Sequence, residues 1–304
     1  MQYSMNKFAI YTALIGGYDS IRQPLVIDDR FDYILFTDEV KEKKIGVWRV
    51  RKVNYVNTDK TRVARFVKTH PMELLPEYAG TLWIDGSLQI TSNYIYSQCL
   101  FMYNQGVQLA SVKHPLRDCI FDEAYVVYGL DSEKVIFDWC HLLRMEKYPR
   151  HNGLLESGLL YRSNDNLMEK MNEMWWNLLN QHSRRDQLSL NYVLWKIPQV
   201  KIAMLLPEGE SVWNSGSISI YQHEKTATKR GRRGIKETFW EHARNRCRGG
   251  MEEKTEQFRE FHYWVYGLNP IVAKILLHLW GVYTTIVYGT IIKFRAYKRH
   301  KNEN

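Results

Sequence analysis

Short apolar runs recur along the first two thirds of the chain, and several end on a glycine or a carboxylate. Phe8 to Ile15 is built of β-formers and stops at Gly16-Gly17-Tyr18-Asp19. Tyr33 to Phe36 predicts a second buried strand, closed by Thr37-Asp38, and Trp48 to Val53 a third. Thr81 to Ile84 delivers Asp85, followed by Gly86 and Ser87. Further strands are expected at Val107 to Val112, Gly153 to Arg162, Lys201 to Leu206 and Ile218 to Tyr221. Between them the period lengthens to that of a helix. Thr61 to Thr69 is helical and stops before Pro71. Tyr94 to Asn104, Ser132 to Met145 and Asn166 to Asn180 follow, and Ser183-Arg184-Arg185-Asp186-Gln187 opens a helix that reaches Trp195. Strands alternating with helices predict an α/β fold.

In an open α/β sheet, ligands bind at the carboxyl ends of the strands. Asp85 is therefore the first candidate, with Gly86 allowing a close approach, although an aspartate at a strand end also caps turns. Gly16-Gly17 suits backbone N–H contacts to a phosphate, or simply a tight turn. Asp38 is a second strand-end carboxylate. Arg62, Arg65 and Lys68 recur every third residue and share a helix face, either solvated or available to diphosphate oxygens. His114, Arg117, Asp118, Asp122 and Glu123 crowd the segment after the Val107 strand. Glu156 interrupts an apolar strand, which is costly unless it is paired or faces a cavity. Gln187 and Asn191 share a face, and Asp186 sits where the helix dipole favours it.

Composition narrows the partners. The chain has 304 residues, 45% of them hydrophobic, enough for one large domain with an appendage. Its formal charge of +9 suits nucleotide phosphates or acidic lipid. No nucleic-acid motif is visible, so no nucleic-acid partner is expected. The four cysteines lack zinc spacing, and free thiols in a reducing compartment are the simpler reading. Met1 to Lys7 does not read as a signal peptide. From about Gln257 the chain turns aromatic; Ile275 to Ile292 carries no formal charge, and Lys293, Arg295, Lys298, Arg299 and Lys301 follow.

Tyr11-Thr12-Ala13-Leu14-Ile15-Gly16-Gly17-Tyr18-Asp19, Trp83-Ile84-Asp85-Gly86-Ser87, His114-Pro115-x-Arg117-Asp118-Cys119-Ile120-x-Asp122-Glu123-Ala124, Glu156-x-Gly158 and Arg185-Asp186-Gln187-Leu188-Ser189-x-Asn191-Tyr192 occur in that order. Together they resemble the DUF616 family, the TOD1/MUCI70-type glycosyltransferase-like domain, over roughly residues 8 to 225. The resemblance implies a GT-A-like mixed, mostly parallel sheet flanked by helices. It implies a nucleotide-sugar donor and a glycan or lipid-linked acceptor. Asp85 matches the first aspartate of the metal-binding DxD motif, and Ser87 replaces the second. Mn²⁺ or Mg²⁺ is the implied cofactor, held by Asp85 with His223 as a late ligand. Asp85, Asp186 and Glu156 are the implied catalytic carboxylates. Gly16, Gly17, Asp38, Arg62, Arg65, Ser87, Arg117 and Lys225 would face the donor. His114, Asp118, Asp122, Glu123, Gln187 and Asn191 would line the acceptor side.

The resulting expectation is a glycosyltransferase-like domain over residues 1–250 and an aromatic, basic helical tail over 251–304. The tail would lie on the anionic inner face of the cytoplasmic membrane without spanning it, since its basic end would otherwise lie outside. The alternatives are a non-catalytic nucleotide-sugar or glycan binding module with a degenerate DxD and, with less support, a metal-dependent lipid hydrolase.

Overall fold

The computed structural model describes residues 7–17, 19–127, 131–221, 252–280, 282, 283 and 286. His223, Lys225, the basic segment Thr226 to Lys236 and the end of the uncharged run lie outside them. The chain divides into two compact units, Met1–Glu123 with Arg150–Gly231, and Ala124–Pro149 with Arg232–Asn304.

The first unit is a mixed α/β layer structure. Its strands are β1 (Phe8–Leu14), β2 (Phe31–Thr37), β3 (Lys44–Ile45), β4 (Trp48–Lys52), β5 (Gly80–Ile84), β7 (Leu109–Lys113), β8 (Leu155–Ser163) and β9 (Ile202–Met204). They form one sheet in the order β3-β4-β2-β1-β5-β8-β7-β9. Only β3 and β8 run against the rest. A small second sheet pairs β6 (Leu88–Ile90) with β10 (Ile218–Ile220). The parallel strands read as near-continuous apolar runs because both faces are covered. Along β1, Phe8 and Ile10 join one core cluster, and Ala9 and Tyr11 join the other. The first core takes in α3 (Tyr94–Asn104); the second takes in α1 (Lys60–Thr69), the short α2 (Pro71–Leu74), α6 (Asn166–Gln181) and α7 (Gln187–Lys196), and α4 (Ile120–Val126) follows β7 in the chain.

β5 and β7 are not neighbours: β8 lies between them, antiparallel to both. This places the start of β8 at the carboxyl ends of β5 and β7, so Glu156 and Gly158 join the strand-end edge that carries Asp85. The β7–β8 register slips between Ala110 and Val112, where the Ser111 hydroxyl donates to the carbonyls of Glu156 and Leu159. Such irregularities re-aim side chains beside sites.

In the second unit, α5 (Glu133–Met145) packs on α8 (Glu252–Tyr266). His141 Nδ1 donates to the Tyr266 carbonyl at 2.8 Å. The Arg144 guanidinium lies 4.0 Å from the Tyr263 ring centre. A side chain at Gly267 would meet Arg144 Nη2 at 2.7 Å. Val265 and Tyr266 are fully buried, so part of the aromatic segment forms the core of this unit. Because mid-chain residues 124–149 belong to it, this division differs from a single boundary at residue 250. Beyond α8, residues 270–280 are helical. Ile271, Ile275, Leu279 and Tyr283 recur four apart and are all exposed. No helix among the described residues is long and apolar enough to cross a membrane.

Candidate active site

Asp85 stands at the carboxyl end of β5, its backbone N–H still bonded to the Gly158 carbonyl of β8 at 2.8 Å. The strand brings Trp83 to the same face, and its indole N–H donates to Asp85 Oδ1 at 2.6 Å. Lys68 Nζ approaches the same oxygen at 3.4 Å. Oδ2 receives no hydrogen bond from the described residues. It lies 3.3 Å from where a Cβ on residue 158 would be, so Gly158 leaves that oxygen its room. The side chain is 36% exposed: one oxygen is anchored and the other is available. A Cβ at Gly86 would stand 2.5 Å from Leu14 Cδ2, so Leu14 would have to shift to admit one.

Lys68, read from the sequence only as one of three basic residues on a helix face, joins the two carboxylates Asp85 and Asp186. Its side chain is 0% exposed and bonds Asp186 Oδ2 at 2.5 Å, besides reaching Asp85. Arg65 contacts the other oxygen of Asp186 at 3.1 Å. Burial pulls the Lys68 ammonium below the ordinary lysine range, and Asp186 and Asp85 oppose that pull. Burial pushes the Asp186 carboxyl up, but Arg65 and Lys68 overcome it and hold the group well below the usual range. A carboxylate with both oxygens committed to cations is a poor proton acceptor. The only sequence signal for Lys68 was its shared face with Arg62 and Arg65.

That face turns toward the end of α6, with the Arg62 and Arg65 side chains 22% and 15% exposed and Lys68 fully buried. Arg62 donates to the carbonyls of Leu179 and His182, and Arg65 Nε to that of Arg184 at 3.4 Å. The basic residues of α1 thus satisfy the orphan carbonyls at the end of α6 and in the loop beyond it, where cations are favoured. Beneath them Arg162, fully buried, donates to Tyr11 Oη, to the Lys68 carbonyl at 2.6 Å and to Asn172 Oδ1 at 2.7 Å. It fixes the end of α1, and with it the position of Lys68.

Glu156 is buried on β8. Burial, with a smaller contribution from the Asp85 charge, raises its carboxyl above the ordinary range. Its oxygens accept from the Trp213 indole N–H at 3.2 Å and the Val212 N–H at 3.5 Å. Ser211 and Asn214 close the loop locally. Val212 is buried, whereas the Trp213 side chain is 67% exposed although its N–H is tied to a buried acid. Trp213 is a residue that the sequence reading missed.

At the ends of β1 and β2, Gly16 and Gly17 adopt φ of 75° and 53°, which a side chain would strain. The Gly16 N–H donates to Asp38 Oδ1 at 2.9 Å, and Lys60 Nζ donates to Oδ2 at 2.7 Å. Partial burial works against the Asp38 charge, but Lys60 and the Gly16 N–H hold its carboxyl below the usual range. Asp38 therefore organises this turn. A cavity of about 250 Å³ opens beside it, lined by Leu14, Gly17, Ser20, Leu35, Thr37 and Glu39 among others. Leu14 connects the cavity to Gly86 and so to the Asp85 turn. The Ser87 carbonyl accepts from the Tyr221 N–H at 2.8 Å.

Among the described residues, the hydrogen bonds and ion pairs of His114, Arg117, Asp118 and Asn191 run to partners other than Asp85. Arg117 Nε donates to Glu123 at 2.7 Å, and both are shielded. The His114 ring accepts at Nδ1 from the N–H groups of Leu116 and Arg117. Burial and Arg117 lower its pKa. Asp118 bonds His151 Nδ1 at 2.7 Å. Asp122 is buried beside Cys119 and His151. Asn191 Oδ1 accepts from Leu155 N–H at 2.9 Å and fixes the start of β8. Gln187 is half-buried at the first position of α7.

Among the described residues, a divalent cation at this edge would find Asp85 Oδ2, but no second carboxylate from position 87. Mg²⁺ and Mn²⁺ commonly bind through one or two carboxylates and the substrate's phosphates, so Asp85 fits an ion shared with a donor rather than one caged by protein.

A family profile described as "TOD1/MUCI70, glycosyltransferase-like domain" matches residues 1–211. The probable hexosyltransferase MUCI70 of Arabidopsis thaliana is 22% identical over 217 residues, covering 62% of this chain and 37% of that protein. The chain thus spans little more than a third of that relative's length. Two solved structures are similar at 9% identity: a WbbM bifunctional glycosyltransferase without ligand (TM-score 0.41, 68% of this chain, 40% of that one) and mouse xyloside xylosyltransferase 1 without ligand (TM-score 0.40, 66% and 84%).

Proposed function

The chain belongs to the TOD1/MUCI70 glycosyltransferase-like family, and on that premise we propose that it transfers a sugar from a nucleotide-diphosphate donor to a cell-surface polysaccharide or lipid-linked glycan. The observation that carries the reading is Asp85, anchored through one oxygen by Trp83 and Lys68 with its other oxygen open at the strand-end edge. The nucleoside occupies the cavity beside Gly16, Gly17 and Asp38, and the diphosphate reaches across Gly86 to Asp85. Mn²⁺ or Mg²⁺ held by Asp85, with His223 as a further ligand, would supply positive charge against the departing diphosphate. Lys68 keeps the Asp85 carboxylate oriented, and the buried Asp186–Arg65 pair keeps Lys68 in place. Trp213 offers an exposed ring on which a sugar can stack, held by Glu156. Asp85 is the one of the three expected carboxylates with an oxygen open to a ligand; Glu156 and Asp186 act as positioning groups.

Two observations favour a second reading, a binding module without turnover: Ser87 stands where a second metal ligand is expected, and the Lys68 ammonium lies 3.4 Å from Asp85. A thermal-shift screen of nucleotide sugars with and without Mn²⁺ tests the shared premise. A ligand at a hundred times its Kd stabilises the native state by about 2.7 kcal/mol. No shift with any nucleotide sugar removes both readings; a shift without release of free nucleoside diphosphate leaves the binding module.

The tail belongs to the same proposal. An exposed apolar stripe at Ile271, Ile275, Leu279 and Tyr283, followed in sequence by five basic residues between Lys293 and Lys301, suits the surface of an anionic bilayer on the cytoplasmic side.

A further inference from the structure

A cluster of a different character lies where the chain leaves the first unit and returns to it. Cys119 Sγ, a carboxylate oxygen of Asp122 and a ring nitrogen of His151 are all within 4.8 Å of one another. Cys119 is fully buried and Asp122 nearly so. Three donors so spaced have a common point no more than about 2.8 Å from each, against zinc–ligand lengths of about 2.0–2.3 Å. Shifts well under an ångström would close the difference. Two further features point to a ligand. His151 is a non-glycine residue in the left-handed region, with φ of 52°. Strain of that kind persists where the surroundings impose it, and it clusters at ligand clamps. Asp118 accepts from His151 Nδ1 at 2.7 Å. In the neutral ring with the proton on Nδ1, Nε2 is the nitrogen left to ligate, the carboxylate–histidine arrangement that stands behind metal-bound imidazoles.

The geometry points to a site for one zinc-class divalent cation, held by Cys119, Asp122 and His151 with Asp118 behind the imidazole. A thiolate with an imidazole selects zinc-like ions over Mg²⁺ and Mn²⁺, so this cation is of a different class from the one proposed at Asp85. Coordination displaces the Cys119 thiol proton to solvent, and no other bond is made or broken. The role is structural. Cys119 and Asp122 stand just before Ala124, and His151 just after Pro149, the two points at which the chain passes between units. An ion there closes the intervening loop at its root, restricting the unfolded chain and adding its binding free energy to folding.

The test uses the untagged full chain, stripped with chelator and titrated with Co²⁺ and then Zn²⁺. One Co²⁺ should bind per chain with a thiolate-to-cobalt charge-transfer band in the near ultraviolet. Zn²⁺ should displace it and raise the melting temperature. Cys119→Ser should remove the band. His151→Ala, at an exposed position, should weaken Co²⁺ binding at least tenfold. Asp118→Asn should keep the band and weaken binding about 10–100-fold. Asp85→Asn should leave the band unchanged, whatever becomes of sugar transfer. A chain without the band at stoichiometric cobalt overturns the site, as does a band that survives both Cys119→Ser and His151→Ala. Should Cys119→Ser not fold, His151→Ala alone decides, and unchanged affinity refutes the assignment.

Discussion

Lys68 joins the two acids of the site and has no exposure of its own, so its removal is a measurable event at the scale of one residue. Lys68→Met leaves Asp186 with Arg65 alone in a buried setting, and breaking such a pair costs about 3–5 kcal/mol. Urea denaturation should show that loss, and the double variant with Asp186→Asn should lose less than the sum of the singles. The Asp186 carboxyl is held below its ordinary range. Its stabilising contribution is therefore fully present above the unfolded pKa of about 3.9 and is lost as pH falls toward the folded value. The stability gap between wild type and Asp186→Asn should be widest between about pH 5 and 8 and shrink below about pH 4; a gap constant with pH refutes the ion-pair account. Glu156 has the opposite sign. Its folded pKa is raised, so its contribution is complete below the unfolded value of about 4.3 and is lost as pH rises through the folded one. Glu156→Gln should gain stability relative to wild type with rising pH and should keep transfer, because glutamine still accepts from Trp213. Loss of transfer with the fold intact would make Glu156 a proton acceptor and remove it from the positioning role.

At the scale of elements, local pattern and long-range arrangement were legible to different degrees. The period of Thr61 to Thr69, the Pro71 stop and the Tyr94–Asn104 stretch gave helices that the structure reproduces as α1 and α3. The shared face of Arg62, Arg65 and Lys68 was also legible, because it is a property of one helix. What lies across from it was not. The Leu179 and His182 carbonyls that Arg62 meets are more than a hundred residues away, and no local spacing records that approach. Strand order is hidden for the same reason. Nothing within Leu155–Ser163 shows that it inserts between β5 and β7, yet this insertion brings Gly158 under Asp85. Trp213 was missed because a single tryptophan in a polar loop has no period; only the bond to Glu156 distinguishes it. Gly158→Ala tests the β5–β8 pairing as the mount of the site. Its Cβ would stand 3.3 Å from Asp85 Oδ2, so transfer should fall sharply while the melting temperature changes little. Equal activity would show that Oδ2 is not where the ligand binds.

At the scale of the whole molecule, the first unit carries the Asp85 strand-end edge, and the second carries the exposed stripe that precedes the basic residues in sequence. Neutralising Lys293, Arg295, Lys298, Arg299 and Lys301 should remove about 1 kcal/mol of surface attraction each. Co-sedimentation with anionic vesicles should fall more than tenfold, and neutral vesicles should bind poorly throughout. Equal binding to both vesicle types would leave the stripe to a protein partner or a second copy. The central claim, transfer powered by the Asp85 edge, is read most directly by release of nucleoside diphosphate from a nucleotide sugar, measured side by side for the wild type and Asp85→Asn at equal thermal stability. Loss of one preorganised charge interaction at a reacting centre costs about 10²–10³ in rate. The account predicts turnover in the wild type and a fall of at least that size in the variant; equal release by the two proteins would contradict it.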